Sequence, residues 1–449
     1  MIAVIVLMGA GFRTELAVPA EEFSVEIPGQ ATSRPWWDSF EDPTLSALVS
    51  EGLDHNLDVA AADARVRAAK ARSWQSASPA LPYARLDAGI QRMPCQSLGY
   101  DPCAIAAAAA QEDAPDTYTQ DSLALVAGLN VDLFGATTNA ALAARLEAQA
   151  AAGDAGALEL LVSTRVAGAW WDLLVAREQL AIVEDQVELQ EDLLEVSRLQ
   201  LERGLATGLD VLQQQQQVAL ARAQVPTARA GLRRAEAGLA ALLDRDPTRP
   251  IELDGSLPIV PGAPPTGSPA DLLLRPDVAA ASSRVEAARK REKSAARAAL
   301  PSLGVSAQTG RTGQDILERD TVETWSMGAS VSVPLFGGGV HAADVSASRA
   351  ETDALRRSAE AAWLQAVQEV EVAVALDGDM VVLVESTEAL LQASELAYEQ
   401  ARLRFAAGDV PYLQVTAAAA ALYNARLSEL SARRQALDAR LSLHAALGR

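Results

Sequence analysis

Thr324-Trp325-Ser326-Met327-Gly328-Ala329-Ser330-Val331-Ser332-Val333-Pro334-Leu335-Phe336 runs into Gly337-Gly338-Gly339, and no further proline occurs until Pro411. Up to Leu335 the odd positions are apolar and the even ones small or polar. Strict period-2 alternation predicts a strand with one apolar and one polar face. Beyond the glycines, Ala, Leu, Glu, Gln and Arg dominate, all good helix formers. At 1.5 Å per residue that helix is roughly 100 Å long, more than a compact domain of this size requires.

The pattern is written twice. Asp58-Val59-Ala60-Ala61-Ala62 returns as Asp277-Val278-Ala279-Ala280-Ala281, 219 residues later. At the same offset Arg65-Val66, Ala68-Ala69, Arg72 and Leu81-Pro82 return as Arg284-Val285, Ala287-Ala288, Arg291 and Leu300-Pro301. Leu133-Phe134-Gly135 then matches Leu335-Phe336-Gly337, and Gly204 matches Gly408. Such self-similarity marks a duplicated architecture: helix, strand, loop, strand, very long helix, tight turn, helix.

The first repeat spans 36–246, with strands at about 82–92 and 122–133 and a long helix at about 136–203. Asp42-Pro43 starts its leading helix, which is interrupted near Asn56. A linker with eight prolines, 247–276, separates it from the second repeat, 277–449, whose strands lie at about 301–310 and 324–336 and whose long helix lies at about 340–406. Leu180, Val183, Val187, Leu194 and Leu201 mark a coiled-coil-like seam on the first long helix, and Leu376, Leu383, Leu390 and Ala397 on the second. Gln213–Gln217 is read as a solvated helix face.

Residues 1–35 form a separate leader. Met1 to Ala10 is apolar, with no basic residue before it. It resembles the hydrophobic part of a secretory signal without its charged front; a buried N-terminal strand and an internal start at Met1 are the alternatives. Cys95 and Cys103 sit in a loop with Pro94, Gly99 and Pro102, where they could close a small disulfide or remain two thiols.

Composition narrows the function. A net charge of −21 argues against nucleic acid, whose phosphates need a basic surface. Aromatics are 4% and alanine is the commonest residue, which suits closely approaching helices rather than an ordinary compact interior. No apolar run approaches the ~18 residues of a membrane-spanning helix, so any spanning element must be β. Four strands of ten or so residues have the length and alternation of membrane strands. Four cannot close a barrel, and open edges are not tolerated in lipid; the chain must oligomerise.

No catalytic set emerges. His55, His341 and His444 lie on separate elements without ligand spacing, so no metal or cofactor is expected. Gly337–Gly339 lacks the Gly-Lys-Ser/Thr of a phosphate loop and eases a β-to-α transition instead. Glu369 with Glu371, and Asp377 with Asp379, are i, i+2 pairs pointing to different helix faces and are read as solvated charges.

The residues that punctuate the chain are similar to those of the TolC-type outer-membrane efflux proteins, in the OprM/NodT branch. They are Trp36-Trp37 with Phe40 and Asp42-Pro43, Asn56-Leu57-Asp58, Val131 to Gly135, Gly204 through Asp210-Val211-Leu212-Gln213, Arg275-Pro276-Asp277, Pro334-Leu335-Phe336 with Gly339, and Leu422-Tyr423-Asn424-Ala425. The resemblance implies a mainly α protein with membrane β, whose homotrimer forms a 12-stranded β-barrel continuous with a periplasmic α-helical barrel. It would be the passive exit duct of a tripartite pump for drugs or other toxic solutes. Its partners would be a periplasmic adaptor, an inner-membrane transporter of the RND type and outer-membrane lipid. A periplasmic coiled-coil scaffold and a type I protein secretion duct are the alternatives.

The resemblance also places an adaptor-docking surface at the two helical tips: Gly204, Leu205, Thr207 and Gly208, and Gly408, Asp409, Val410 and Pro411. The gate beside them would be Asp210, Tyr412, Leu413 and Gln414. Relatives often carry aspartates one or two turns after the second tip, where this chain has Gln414 and Ala417, so a weaker acidic ring is expected. In this branch a lipid-bearing Cys commonly follows Leu-x-Gly; here Leu7-Met8-Gly9 is followed by Ala10, which argues against a lipid anchor.

Overall fold

A computed structural model describes residues 35–94, 103, 108, 116–251, 254–314 and 320–448. Residues 1–34 of the leader, with Ala10, lie outside them, and so does Cys95; Cys103 is buried and is not a free thiol.

Seven helices are described: α1 Pro43–His55, α2 Leu57–Ala77, α3 Ala136–Glu202, α4 Gly208–Leu242, α5 Pro276–Arg297, α6 Val340–Ala407 and α7 Tyr412–Leu447. Four strands accompany them: β1 Tyr83–Pro94, β2 Thr117–Val131, β3 Ser302–Gln314 and β4 Asp320–Ser332. Asp42 caps α1 by accepting from the N–H groups of Thr44 and Leu45 at 2.8 and 3.1 Å, with Pro43 where a missing N–H costs nothing. Asn56 explains the break before α2. Its side-chain oxygen accepts from Asp58 N–H at 2.9 Å while its amide donates to the Leu242 carbonyl at 3.2 Å. Strand β4 starts at Asp320 and ends at Ser332 rather than running from 324 to 336, because Pro334 lacks a ladder donor and the glycines turn the chain.

The chain divides into two compact units, and each draws on both sequence halves. Unit 1 holds residues 1–66, 151–281 and 358–449. Its core gathers aromatic residues that composition had seemed too poor to supply. Trp170 and Trp171 of α3 are fully buried against Trp36, Phe40, Leu45 and Val49 from the start of the chain and Leu437 from its end. Trp36 donates to the Ser163 hydroxyl at 3.2 Å and Trp170 to the Asp42 carboxylate at 3.1 Å. A second cluster centres on Trp363, Ala366 and Val370 of α6 with Leu443 of α7. The linker is laid onto this unit by arginines. Arg177 donates to the Ile251 carbonyl at 2.6 Å, Arg433 to that of Leu257 at 3.3 Å, and Arg440 to that of Pro261.

Arg440 also overturns the reading of Asp377 as a solvated charge. Both side chains are buried and form a bidentate pair at 2.7 and 2.9 Å. The helical seams shift too. Val183, Gln190, Leu193, Ser197 and Gln200 are the buried positions of α3 towards its end, while Leu201 is exposed; on α6 Leu376 and Leu390 are exposed and Asp377, Ser394 and Phe405 buried. A 3–4 spacing read by apolar content alone misses polar residues that occupy seam positions.

Unit 2 holds residues 67–150 and 282–357. Its sheet is antiparallel in the order β1-β2-β3-β4, one hairpin from each half. Opposed residues share a face. Leu86 pairs with Leu125, Leu125 with Thr309 and Thr309 with Trp325; the next row is Ala84, Ala127, Ala307 and Met327. These rows give an apolar surface across all four strands, followed one row on by Arg311 opposite Glu323, and Ile90, Trp325 and Met327 on this face are about four-fifths exposed, at 78%, 80% and 77%. At Gly310 a Cβ would meet the Leu123 carbonyl oxygen at 2.5 Å, so only glycine allows the backbones this close. Strands β1 and β4 are the sheet's edges.

Candidate functional site

The two helical tips in unit 1 are built alike. Helix α3 ends with the Gly204 N–H on the Leu201 carbonyl (3.0 Å) and the Leu205 N–H on that of Gln200 (2.8 Å). Helix α6 ends with Gly408 on Phe405 (3.0 Å) and Asp409 on Arg404 (2.9 Å). This paired i−3 and i−5 bonding requires a left-handed residue, and Gly204 and Gly408 supply it at φ of +73° and +83°. The duplication thus extends to hydrogen-bond geometry.

The restarts differ. At the first tip Thr207 caps α4, and Asp210 completes a capping box: its carboxylate accepts from the Thr207 N–H and hydroxyl at 2.8 and 2.7 Å. At the second tip Pro411 precedes α7 with no side-chain cap. The Asp210 carboxylate is thereby committed to starting its own helix.

Behind the tips lies a polar network on an apolar floor. The Tyr412 hydroxyl donates to Gln214 Oε1 at 2.5 Å, linking α7 to α4. Gln214 Nε2 donates to the backbone carbonyl and Oε1 of Gln190 on α3, at 2.7 and 2.8 Å. Gln200 Nε2 donates to the Phe405 carbonyl at 2.8 Å, tying α3 to α6. The floor is Leu193, Phe405, Val415 and Ala419. Burial first, and the Asp210 charge second, push Tyr412 up to about 12, so its hydroxyl keeps its proton and remains a donor. Tyr423, about three turns further along α7, repeats the link to α4 by donating to Gln224 Oε1 at 2.6 Å.

The structure brings Asp210 and Tyr412 into electrostatic contact and leaves Leu413 and Gln414 exposed on the first turn of α7. Leu205, Leu209 and Leu413 are exposed at the tips, at 67%, 63% and 74%. The residues that sequence reading missed are the glutamines. The run Gln213–Gln217 reads as solvated, yet Gln214 is fully buried while Gln213 and Gln215–Gln217 are exposed. The signal was present: Val211, Gln214, Val218 and Ala221 repeat at 3–4–3 spacing, all buried. Among the described residues no His, Cys, Asp and Glu group could hold a metal ion.

Comparison with known proteins identifies the family. The family model described as outer membrane efflux protein matches residues 48–245 and 270–449. The chain is 28% identical over 421 residues to the pyoverdine export outer membrane protein OpmQ of Pseudomonas aeruginosa, covering 92% of this chain and 87% of the relative. It is 28% identical over 374 residues to nodulation protein T of Rhizobium leguminosarum bv. viciae, covering 80% and 72%. Among solved structures it resembles the outer-membrane channel OprN, with a TM-score of 0.83, 26% identity and 98% of each chain covered. CusC, at 20% identity, gives the same TM-score of 0.83 with 98% and 99% covered.

Proposed function

Because the chain belongs to the outer membrane efflux protein family, we propose that its two tips form the closed periplasmic end of an export duct, latched by Tyr412 and Gln214. The protein is an outer-membrane efflux protein, the exit duct of a tripartite system. Its fold class is that of trimeric outer-membrane channels, a strand-derived barrel with a helical barrel. Members of the family are channels that work with an adaptor and an inner-membrane transporter.

The 2.5 Å bond from Tyr412 to Gln214 carries the reading of the latch. It joins a helix of the second repeat to one of the first. Unlike an apolar contact, it can be exchanged for water when the helices part. Removing the hydroxyl leaves the buried Gln214 oxygen without that donor, a penalty of about 1–3 kcal/mol on the closed state. Gate opening then rises by roughly tenfold, each 1.4 kcal/mol being a factor of ten in population. Asp210 holds the first turn of α4 in place, and Leu413 and Gln414 complete the constriction. The docking surface for the adaptor comprises Gly204, Leu205, Thr207 and Gly208 with Gly408, Asp409, Val410 and Pro411. The cargo is a small organic solute, in keeping with relatives named for pyoverdine, fusaric acid and toluene, and the energy source is an RND-type transporter.

Single-channel recording in planar bilayers tests the latch. Tyr412→Phe and Gln214→Leu are expected to raise open probability about tenfold without changing the conductance of the open state. Open probabilities equal to wild type in both variants sink the assignment. A wild-type trace from Asp210→Ala removes that residue's part alone.

A further inference from the structure

The chain carries 59 acidic against 38 basic residues, and only three of the latter are lysines: Lys70, Lys290 and Lys293. All three fall in unit 2, on the last turns of α2 and α5. Helix α2 leads through the 3-10 turn Ser78–Ala80 to β1, and α5 through residues 298–301 to β3, the first strand of each hairpin. Arg67, Lys70 and Trp74 follow at i, i+3, i+7 on α2, and Lys290, Lys293 and Arg297 at the same spacing on α5, so each trio shares a helix face. We infer that these two faces form a basic collar that holds anionic phospholipid headgroups of the periplasmic leaflet around the membrane sheet.

On α5, charge compensation separates the collar from its neighbours. Arg289 and Arg291 pair with Glu286 at 2.6 Å and Glu147 at 3.0 Å, and Arg349 pairs with Glu292 at 3.0 Å. Arg67, Lys70, Lys290, Lys293 and Arg297 make no such pair with a described residue, and all but the half-buried Lys290 are exposed. Unpaired cations in a chain of net charge −21 point to an anionic occupant supplied from outside.

Position along the sheet names the occupant. Antiparallel pairing of Tyr83 with Gly128 and of Ser302 with Ser332 places the starts of β1 and β3 at one end of the sheet with the ends of β2 and β4. Leu81 and Tyr83 beside β1, and Leu335 and Phe336 after β4, are exposed at this end. The apolar face begins immediately beyond, at Leu86. Aromatic and apolar side chains at such a boundary sit at headgroup depth. Trp74 is 70% exposed and shares the face of Lys70, an amphipathic ring left largely uncovered by the described residues. Lys293 is about 6 Å from the end of α5 and Lys70 about 10 Å from the end of α2, with the 3-10 turn Ser78–Ala80 between α2 and β1. Arg297, at the end of α5, and Lys293 lie nearest the ~8–10 Å range over which a charged surface attracts basic side chains in salt. An acidic soluble protein would find the same charges, but not a reason for them to flank the strands.

The inference is tested on the purified trimer in a neutral detergent, by thermal melting with added phosphatidylglycerol, phosphatidylcholine or inorganic phosphate. Wild type is expected to melt several degrees higher with phosphatidylglycerol than with phosphatidylcholine. That difference should fade as salt rises from about 0.05 M to about 0.5 M. In R67Q/K70Q/K290Q/K293Q it should vanish, and in R67K/K70R/K290R/K293R it should persist. Trimer mobility on a gel and conductance in a neutral bilayer report on fold and duct, and both are expected to match wild type in each variant, so a failed duct reading is distinguishable from a failed collar. An undiminished phosphatidylglycerol effect in the glutamine variant overturns the inference. So does a salt-independent effect in wild type, or an equal effect of inorganic phosphate. Should the glutamine variant fail to trimerise, the wild-type lipid comparison and its salt dependence decide alone.

Discussion

Replacing Arg440 by Met should destabilise unit 1 more than removing the partner carboxylate along with it. Arg440 and Asp377 are 2% and 5% exposed, and their bidentate contact at 2.7 and 2.9 Å is the most buried ion pair among the described residues. Arg440 also donates to the Pro261 carbonyl, so one side chain ties α7 to α6 and to the linker. Truncating one partner of a buried pair leaves an uncompensated charge, at a cost of about 3–5 kcal/mol. With an unfolding entropy near 2.1 cal/mol/K per residue, a chain of 449 residues loses about 3–5 °C of melting temperature. Replacing both partners removes the charge penalty as well as the attraction, and buried pairs exchanged for apolar groups are often neutral. Arg440→Met should therefore fall by about 3–5 °C, while Asp377→Leu with Arg440→Met should recover most of that loss. Circular dichroism at 222 nm of the detergent-solubilised trimer reads both. If the single and double variants melt at the same temperature, the cost is lost packing and not an orphaned carboxylate, and the reasoning fails.

Three further outcomes follow from the same geometry. Gly310→Ala should abolish the heat-resistant trimer on a gel, because its Cβ would lie 2.5 Å from the Leu123 carbonyl oxygen, whereas Gly328→Ala, with nothing within 4 Å, should leave it intact. Gly408→Ala, at φ +83° with open space around it, should cost about 1–2 kcal/mol of backbone strain and speed amide hydrogen exchange in residues 405–412 without moving the global melting temperature. The Glu429 carboxyl is raised by burial first and by Glu178 and Glu388 next, with Arg433 opposing. A carboxyl raised in the folded state binds more protons folded than unfolded, so its ionisation destabilises the fold above the raised value and that cost disappears as pH falls towards the ordinary carboxylate range. Glu429→Gln should therefore raise the melting temperature at pH 7.5 and change it little at pH 4.5; a pH-independent effect refutes the burial argument.

Period and punctuation in the sequence determined the elements. Alternation between Thr324 and Ser332 needs only a pleated backbone to place Trp325, Met327 and Val331 on one face. The proline-free runs after Gly135 and Gly339 need only helix propensity. Leu133-Phe134-Gly135 and Leu335-Phe336-Gly337, and Gly204 and Gly408, marked the duplication because chain reversals demand particular backbone conformations wherever they occur. These are local requirements, legible from neighbours in the chain.

Partners were not legible. Gln214 looked like four other glutamines until α3 and α7 closed over it, and Asp377 looked like Asp379 until Arg440, 63 residues away, was brought against it. Asp210 reads as a gate charge by position, but its carboxylate caps its own helix. Whether a polar side chain is solvated, buried or bonded depends on which distant surface covers it. Only the tertiary structure decides that, because desolvation and hydrogen bonding depend on distance in space and not on separation along the chain.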